Sequence, residues 1–181
     1  MKLKTNRIEA LTDGIFAIVM TVMIVSMGEL IKFDKFVRED DYHRLFMSMR
    51  NDFTSYAISF MLLGALWLLH HWQFQYISYI NPPLVFINII WCMFICLIPF
   101  STMILGDHPD FFAPVIAFEL NILIVFLILY AQWAYATKTK HLMIPSLDKK
   151  VISVQRNVVL SFIVVALSAI AISYGYHLLP K

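Results

Sequence analysis

Arg7 and Asp13 stand six residues apart at the start of the first apolar run, with Leu11, Thr12 and Gly14 beside them and an uncharged stretch from Ile15 to Met27 behind. Charged groups inside a bilayer cost at least ~2.5–3.5 kcal/mol each, so both need a reason to be there. More polar residues recur in later apolar runs: Trp67, His70, His71 and Gln73 near the end of the second, Asn88 near the start of the third. If successive runs cross a membrane in alternating directions, all of these positions fall in one leaflet. Together they offer donors and acceptors of every kind, enough for a hydrogen-bonded network joining the first three helices. A dry interior enforces such pairing, because an unsatisfied polar group there costs several kcal/mol.

The adjacent histidines open a second chemistry. His70 and His71 could ligate a metal or haem in a small membrane redox enzyme, but that needs ligands from other helices. His43, His108, His141 and His177 sit in connections or at an end. Asp107-His108-Pro109-Asp110 reads as a turn with acids facing solvent rather than a metal loop. Cys92 and Cys96, four apart on one helical face, point the same way and read as packing residues, not a disulfide. No metal, cofactor or catalytic group is expected, and the chain is not read as an enzyme.

The elements that position these residues follow from composition. Of 181 residues, 60% are hydrophobic and only 14% charged, and the mean hydropathy is +0.74. A soluble domain carries about 25% charged residues. The expected fold class is therefore an all-α integral membrane protein. Five segments, residues 8–31, 53–79, 83–105, 111–137 and 151–179, each supply the ~20 residues that a spanning helix needs. Nothing alternates as barrel strands do. The whole chain, 1–181, reads as one transmembrane domain whose partner is the lipid bilayer. Its net charge of +2 forms no basic face, which excludes a nucleic-acid partner.

The connections are informative too. Residues 32–52 form the longest polar stretch, with room for a short surface helix. Asn81-Pro82-Pro83 makes a turn that opens the third helix, with proline where a missing N–H is harmless. Asp13 interrupts any signal-peptide pattern and no small-x-small site follows, so the first segment is expected to stay as a span. With the N-terminus inside, eight basic residues lie on the inner side against six outside. The positive-inside rule then points to a cytoplasmic N-terminus in a cell membrane.

The first-helix pattern R-x-x-x-L-T-D-G resembles the R-x-x-x-F-S-D signature of the lysosomal potassium channel family of transmembrane protein 175 and its prokaryotic single-repeat homologues. Four later features extend the resemblance: W-x-x-H-H at Trp67–His71, Asn88 followed by P-F-S-T at Pro99–Thr102, A-T-K at Ala136–Lys138 and L-D at Leu147–Asp148. Leu11-Thr12 departs from the family's Phe-Ser, keeping the hydroxyl and losing the ring. The family repeat has six helices, and this chain has five expected spans.

The resemblance implies a cation channel with modest selectivity for potassium ions, assembled as a homotetramer. The first helix of each subunit would line the central pore, with Ile18, Thr21 and Val25 at its narrow layers. Hydrophobic rings of Ile18 and Val25 would gate by dewetting, and a Thr21 hydroxyl ring would replace part of an ion's hydration shell. Tyr174-Gly175-Tyr176 is not a carbonyl filter, since it lacks Thr-Val and has no pore helix before it. The competing readings are the redox enzyme built on His70 and His71 and a secondary transporter. The latter usually carries internal repeats and broken helices near the midplane.

Overall fold

A computed structural model describes residues 3–28, 50–107, 110–145 and 147–178. Most of the polar stretch 32–52, with His43, and the turn residues His108 and Pro109 lie outside the described residues. The elements are β1 (Leu3–Lys4), α1 (Asn6–Gly28), α2 (Arg50–Phe74), β2 (Tyr79–Ile80), α3 (Pro82–Cys96), α4 (Ile98–Asp107), α5 (Phe112–Lys138), a 3-10 turn at Lys140–Leu142, and α6 (Lys149–Leu178). Since α3 and α4 continue one another, the described residues form five helical rods. Four of these are long and apolar enough to cross a membrane. The remaining one, α1, has 23 residues, about 35 Å at 1.5 Å per residue.

Local chemistry sets the helix ends. Asn81 is extended and caps α3, its side chain accepting from the Leu84 N–H at 3.2 Å, with Pro82 and Pro83 in the first turn. The α3–α4 break falls at Leu97, because Pro99 brings no N–H to continue the ladder. Leu97 N–H turns back to the Phe94 carbonyl at 3.2 Å, and Ser101 caps the gap by donating its N–H and its hydroxyl to the Leu97 carbonyl, at 3.0 and 3.1 Å.

The second apolar run reaches Tyr79, but α2 closes at Phe74. The residues that follow take backbone partners elsewhere. Leu3 pairs with Ile80 and Lys4 with Tyr79 in a short antiparallel ribbon. Ser78 N–H donates to the Leu142 carbonyl at 2.8 Å, and Ile144 N–H to the Tyr76 carbonyl at 3.0 Å. Every backbone donor at this end must find an acceptor, and these pairings tie both the start of α1 and the α5–α6 connection to the α2–α3 turn.

One stripe of α1, Ile8, Thr12, Phe16, Val19 and Met23, is buried; its spacing of four, four, three and four is that of one helical face. It meets Leu63 and Leu66 of α2, Trp91 and Ile95 of α3, and Ile98 of α4, with Val125 and Leu129 of α5 behind them. A smaller core at the other end of that stripe joins Ile8, Phe74, Ile80, Leu84, Trp133 and Leu142. The most extensive packing is between α5 and α6.

Candidate functional site

Asn88 stands at the centre of the polar residues. It is fully buried, as is Thr12, and His70 is nearly so. Asn88 Nδ2 donates to Thr12 Oγ1 at 3.0 Å, and Asn88 Oδ1 lies 2.7 Å from His70 Nε2. An amide oxygen only accepts, so His70 holds its proton on Nε2. Cys92, one turn along α3, puts its sulfur 3.7 Å from Asn88 Nδ2 and 3.8 Å from Thr12 Oγ1. The His70 ring is sandwiched between Phe74 and Trp91, at centroid distances of 4.2 and 4.7 Å. Trp91 in turn donates its Nε1–H to the Val125 carbonyl at 3.1 Å. Three helices are thus joined through one carboxamide.

Asp13, the next residue on α1, takes a different partner. Its Oδ1 accepts from Trp67 Nε1 at 2.8 Å, and the Trp67 ring stacks on His71 at 5.5 Å. His70 and His71 therefore diverge, one into the core and one onto an exposed stack. Among the described residues, no three His, Cys, Asp or Glu side chains come together in a way that could hold a metal ion. Cys92 and Cys96 are both free thiols, one buried and one exposed.

Arg7 is not brought into this cluster. It is exposed and makes no hydrogen bond or ion pair with another described residue, lining instead an open groove with Lys4, Leu11 and Val85. Leu11 is 49% exposed, so the position where the family signature has an aromatic ring is only half covered within this subunit. Thr12 carries the hydroxyl that the network uses.

Ile18 is 64% exposed and Thr21 is exposed. At 3.6 residues per turn, positions 18, 21 and 25 centre about 150° around α1 from the buried stripe. Thr21 directs its hydroxyl hydrogen at its own helix, toward the carbonyls of Ala17 and Ile18 at 2.6 and 2.9 Å. Val25 belongs to this face by helical register; its side chain lies outside the described ones.

Sequence reasoning missed a second set of polar ties. Glu119 of α5 accepts from the Ser173 hydroxyl of α6 at 2.8 Å, and Thr102 of α4 donates to Ser59 of α2 at 2.9 Å. Glu119 was detectable as the sole charge inside its apolar run. Gln73, Asn121 and Gln132 are buried with both amide atoms unpartnered among the described residues.

Residues 7–99 match the family model described as the endosomal/lysosomal potassium channel TMEM175. A Streptomyces collinus protein named a potassium channel is 29% identical over 152 residues, covering 80% of this chain and 70% of that one. A Chamaesiphon minutus protein, also named a potassium channel, is 22% identical over 149 residues, covering 81% and 72%. The chicken protein named endosomal/lysosomal proton channel TMEM175 is 26% identical over 112 residues, 60% of this chain and 22% of that one. The crystal structure of a lysosomal potassium-selective channel TMEM175 homolog from Chamaesiphon minutus superposes with a TM-score of 0.68 at 18% identity, over 94% of this chain and 90% of that one. That likeness is one of fold. The matched residues 7–99 are more than half of the chain and contain all of the Thr12–Asn88–His70 and Asp13–Trp67 pairings, and the chain belongs to the TMEM175 family.

Proposed function

We propose that this chain forms a potassium-selective channel in the cell membrane, a homotetramer with a cytoplasmic N-terminus in which α1 of each subunit lines a central pore. The observation that carries this reading is the two-sidedness of α1. One face is locked by Phe16, Val19 and the Thr12–Asn88 bond, while the other leaves Ile18 and Thr21 bare. A bare face on an anchored helix suits a ring of copies closed by rotational symmetry. The family and its relatives named potassium channels support the choice of ion.

The Thr21 geometry fits a cation. Because its hydrogen points back at the helix, its oxygen lone pairs face away from the helix, toward the proposed axis. Four such oxygens would substitute for part of a hydration shell. Potassium gives up water more readily than sodium, so it is favoured, modestly, since hydroxyls are fewer and softer than a carbonyl cage. Ile18, and Val25 by register, would make apolar constrictions on either side.

Purified protein in liposomes tests this. Potassium, sodium and caesium gradients are imposed in turn, with a pH-sensitive dye inside to read proton entry, as one relative is named a proton channel. Potassium flux exceeding sodium flux is expected. Liposomes no more permeable than empty ones would reject the channel.

A further inference from the structure

Between the α3–α4 break and the middle of α5 lies a crevice of about 320 Å³. Phe94, Leu97 and Ser101 form one wall; Leu120, Asn121 and Ile124 form the other. Its rim is apolar and open, Leu97 and Leu120 each being 43% exposed within the subunit. Two polar groups interrupt its walls. Asn121 is only 7% exposed, and neither amide atom has a hydrogen-bond partner among the described residues. Ser101 directs its hydroxyl hydrogen to the Leu97 and Ile98 carbonyls, both at 3.1 Å, which leaves its oxygen free to accept. A buried amide without partners is unfavourable, and most unfavourable where no water can reach it.

Depth restricts what could pair with it. Asn121 lies nine residues into α5, about 14 Å along the axis. A 27-residue helix spans about 40 Å, of which about 30 Å is hydrocarbon, so Asn121 sits well below the headgroups. A charged or zwitterionic head does not reach that level at reasonable cost, whereas a compact neutral one does.

We infer that this crevice binds a neutral single-chain amphiphile whose head both donates and accepts a hydrogen bond, an alcohol or a primary amide. The head lies between Asn121 and Ser101, and the chain runs along Phe94, Leu97 and Leu120. The amide and the hydroxyl oxygen supply the complementary donor and acceptors, and the apolar rim takes the tail. An occupant here rests against α4, whose Ile98 packs in the same core as Phe16, Val19 and Met23 of α1.

Photolabelling of the full chain in liposomes tests the site, with an octanol that carries a diazirine in its chain as the probe and peptide mass spectrometry as the readout. Adducts are expected to concentrate within residues 94–104 and 117–124, to be displaced by decanol and not by decane. Labelling is expected to fall roughly tenfold in Asn121→Leu, the size of one lost buried hydrogen bond. That variant removes an unpaired polar group, so it retains the fold. Ala117→Phe, which fills the crevice from its wall, is expected to lose labelling as well. A hydrocarbon diazirine that labels the same residues as strongly, or undiminished labelling of Asn121→Leu, would show that only acyl chains lie there and overturn the inference. Labelling is read without any current, so its outcome is separate from whether the protein conducts potassium.

Discussion

Asn88 holds Thr12 across the bundle, its Nδ2 donating to the Thr12 hydroxyl at 3.0 Å while its oxygen binds His70. The pair spans 76 residues of sequence, and it fixes the rotation of α1 about its own axis. With Thr12 turned to Asn88, positions 18 and 21 must point away from the subunit core. The inner anchor and the outer face of α1 are therefore one structural fact.

Asn88→Leu strips the partner from both Thr12 and His70. A buried group left unsatisfied costs about 1–3 kcal/mol, so two such groups make a substantial loss. Thr12→Val keeps the shape and removes one partner only. Thermal unfolding in detergent is expected to show a lower midpoint for both variants, and the lower of the two for Asn88→Leu. Equal midpoints for wild type and Asn88→Leu would remove the anchor.

Asp13 and Trp67 form a separate tie. Trp67→Phe and Asp13→Ala should each destabilise, and the double variant should be no worse than the more damaging single one, because both delete the same bond. Arg7→Ala makes the contrast. Its side chain is exposed within the subunit, and surface changes are usually within about 0.5 kcal/mol. Helicity and midpoint of the subunit are expected to hold, while native mass spectrometry shows less tetramer. A full complement of tetramer in Arg7→Ala would assign the arginine no part in assembly.

Ile18→Ser is expected to raise unitary conductance and leave the fold intact, since Ile18 is 64% exposed in the subunit and Ser would remove the proposed dewetting ring. The neighbouring Val19→Ser is expected to do the opposite: Val19 is 5% exposed in the core, and emptying it costs on the order of 2 kcal/mol. Single-channel recording and thermal midpoint together separate the two. A conductance gain from position 19 with none from position 18 would move the pore to another face of α1.

Thr21→Val removes an outward-facing oxygen while keeping the side chain's shape. Potassium is expected to lose its advantage over sodium, and the loss of partners around the ring, on the order of 1–3 kcal/mol, corresponds to about tenfold or more in permeability ratio. Ser161→Ala is the proper control: that hydroxyl is also exposed and also bonded to its own helix, through Val158, but it lies on α6. Thr12→Val is unsuitable because Thr12 is bound to Asn88. Unchanged reversal potentials in Thr21→Val would reject Thr21 as a selectivity layer.

The amino-acid sequence by itself determined that there are helical rods, roughly where they lie, and which residues are too polar to be left alone in them. Runs of about 20 apolar residues have no other stable form in a bilayer, and Asn81-Pro82-Pro83 marks a helix start by local chemistry alone. The sequence also carried the family, because the Arg7–Asp13 pattern and Trp67–His71 keep their types and order. It did not determine who pairs with whom. Asp13 went to Trp67 rather than Arg7, Thr12 to Asn88, Glu119 to Ser173, and the end of the second apolar run left its helix to pair with Leu3–Lys4. The reason is physical. In a soluble helix, water opposes core and the apolar stripe names the inner face; here lipid is as apolar as the core, so helices such as α5 and α6 are hydrophobic on every side and their sequences barely distinguish one face from another. Only packing decides which face turns inward, and with it which polar side chain meets which. That decision also set the outward face of α1, with Ile18 and Thr21 exposed.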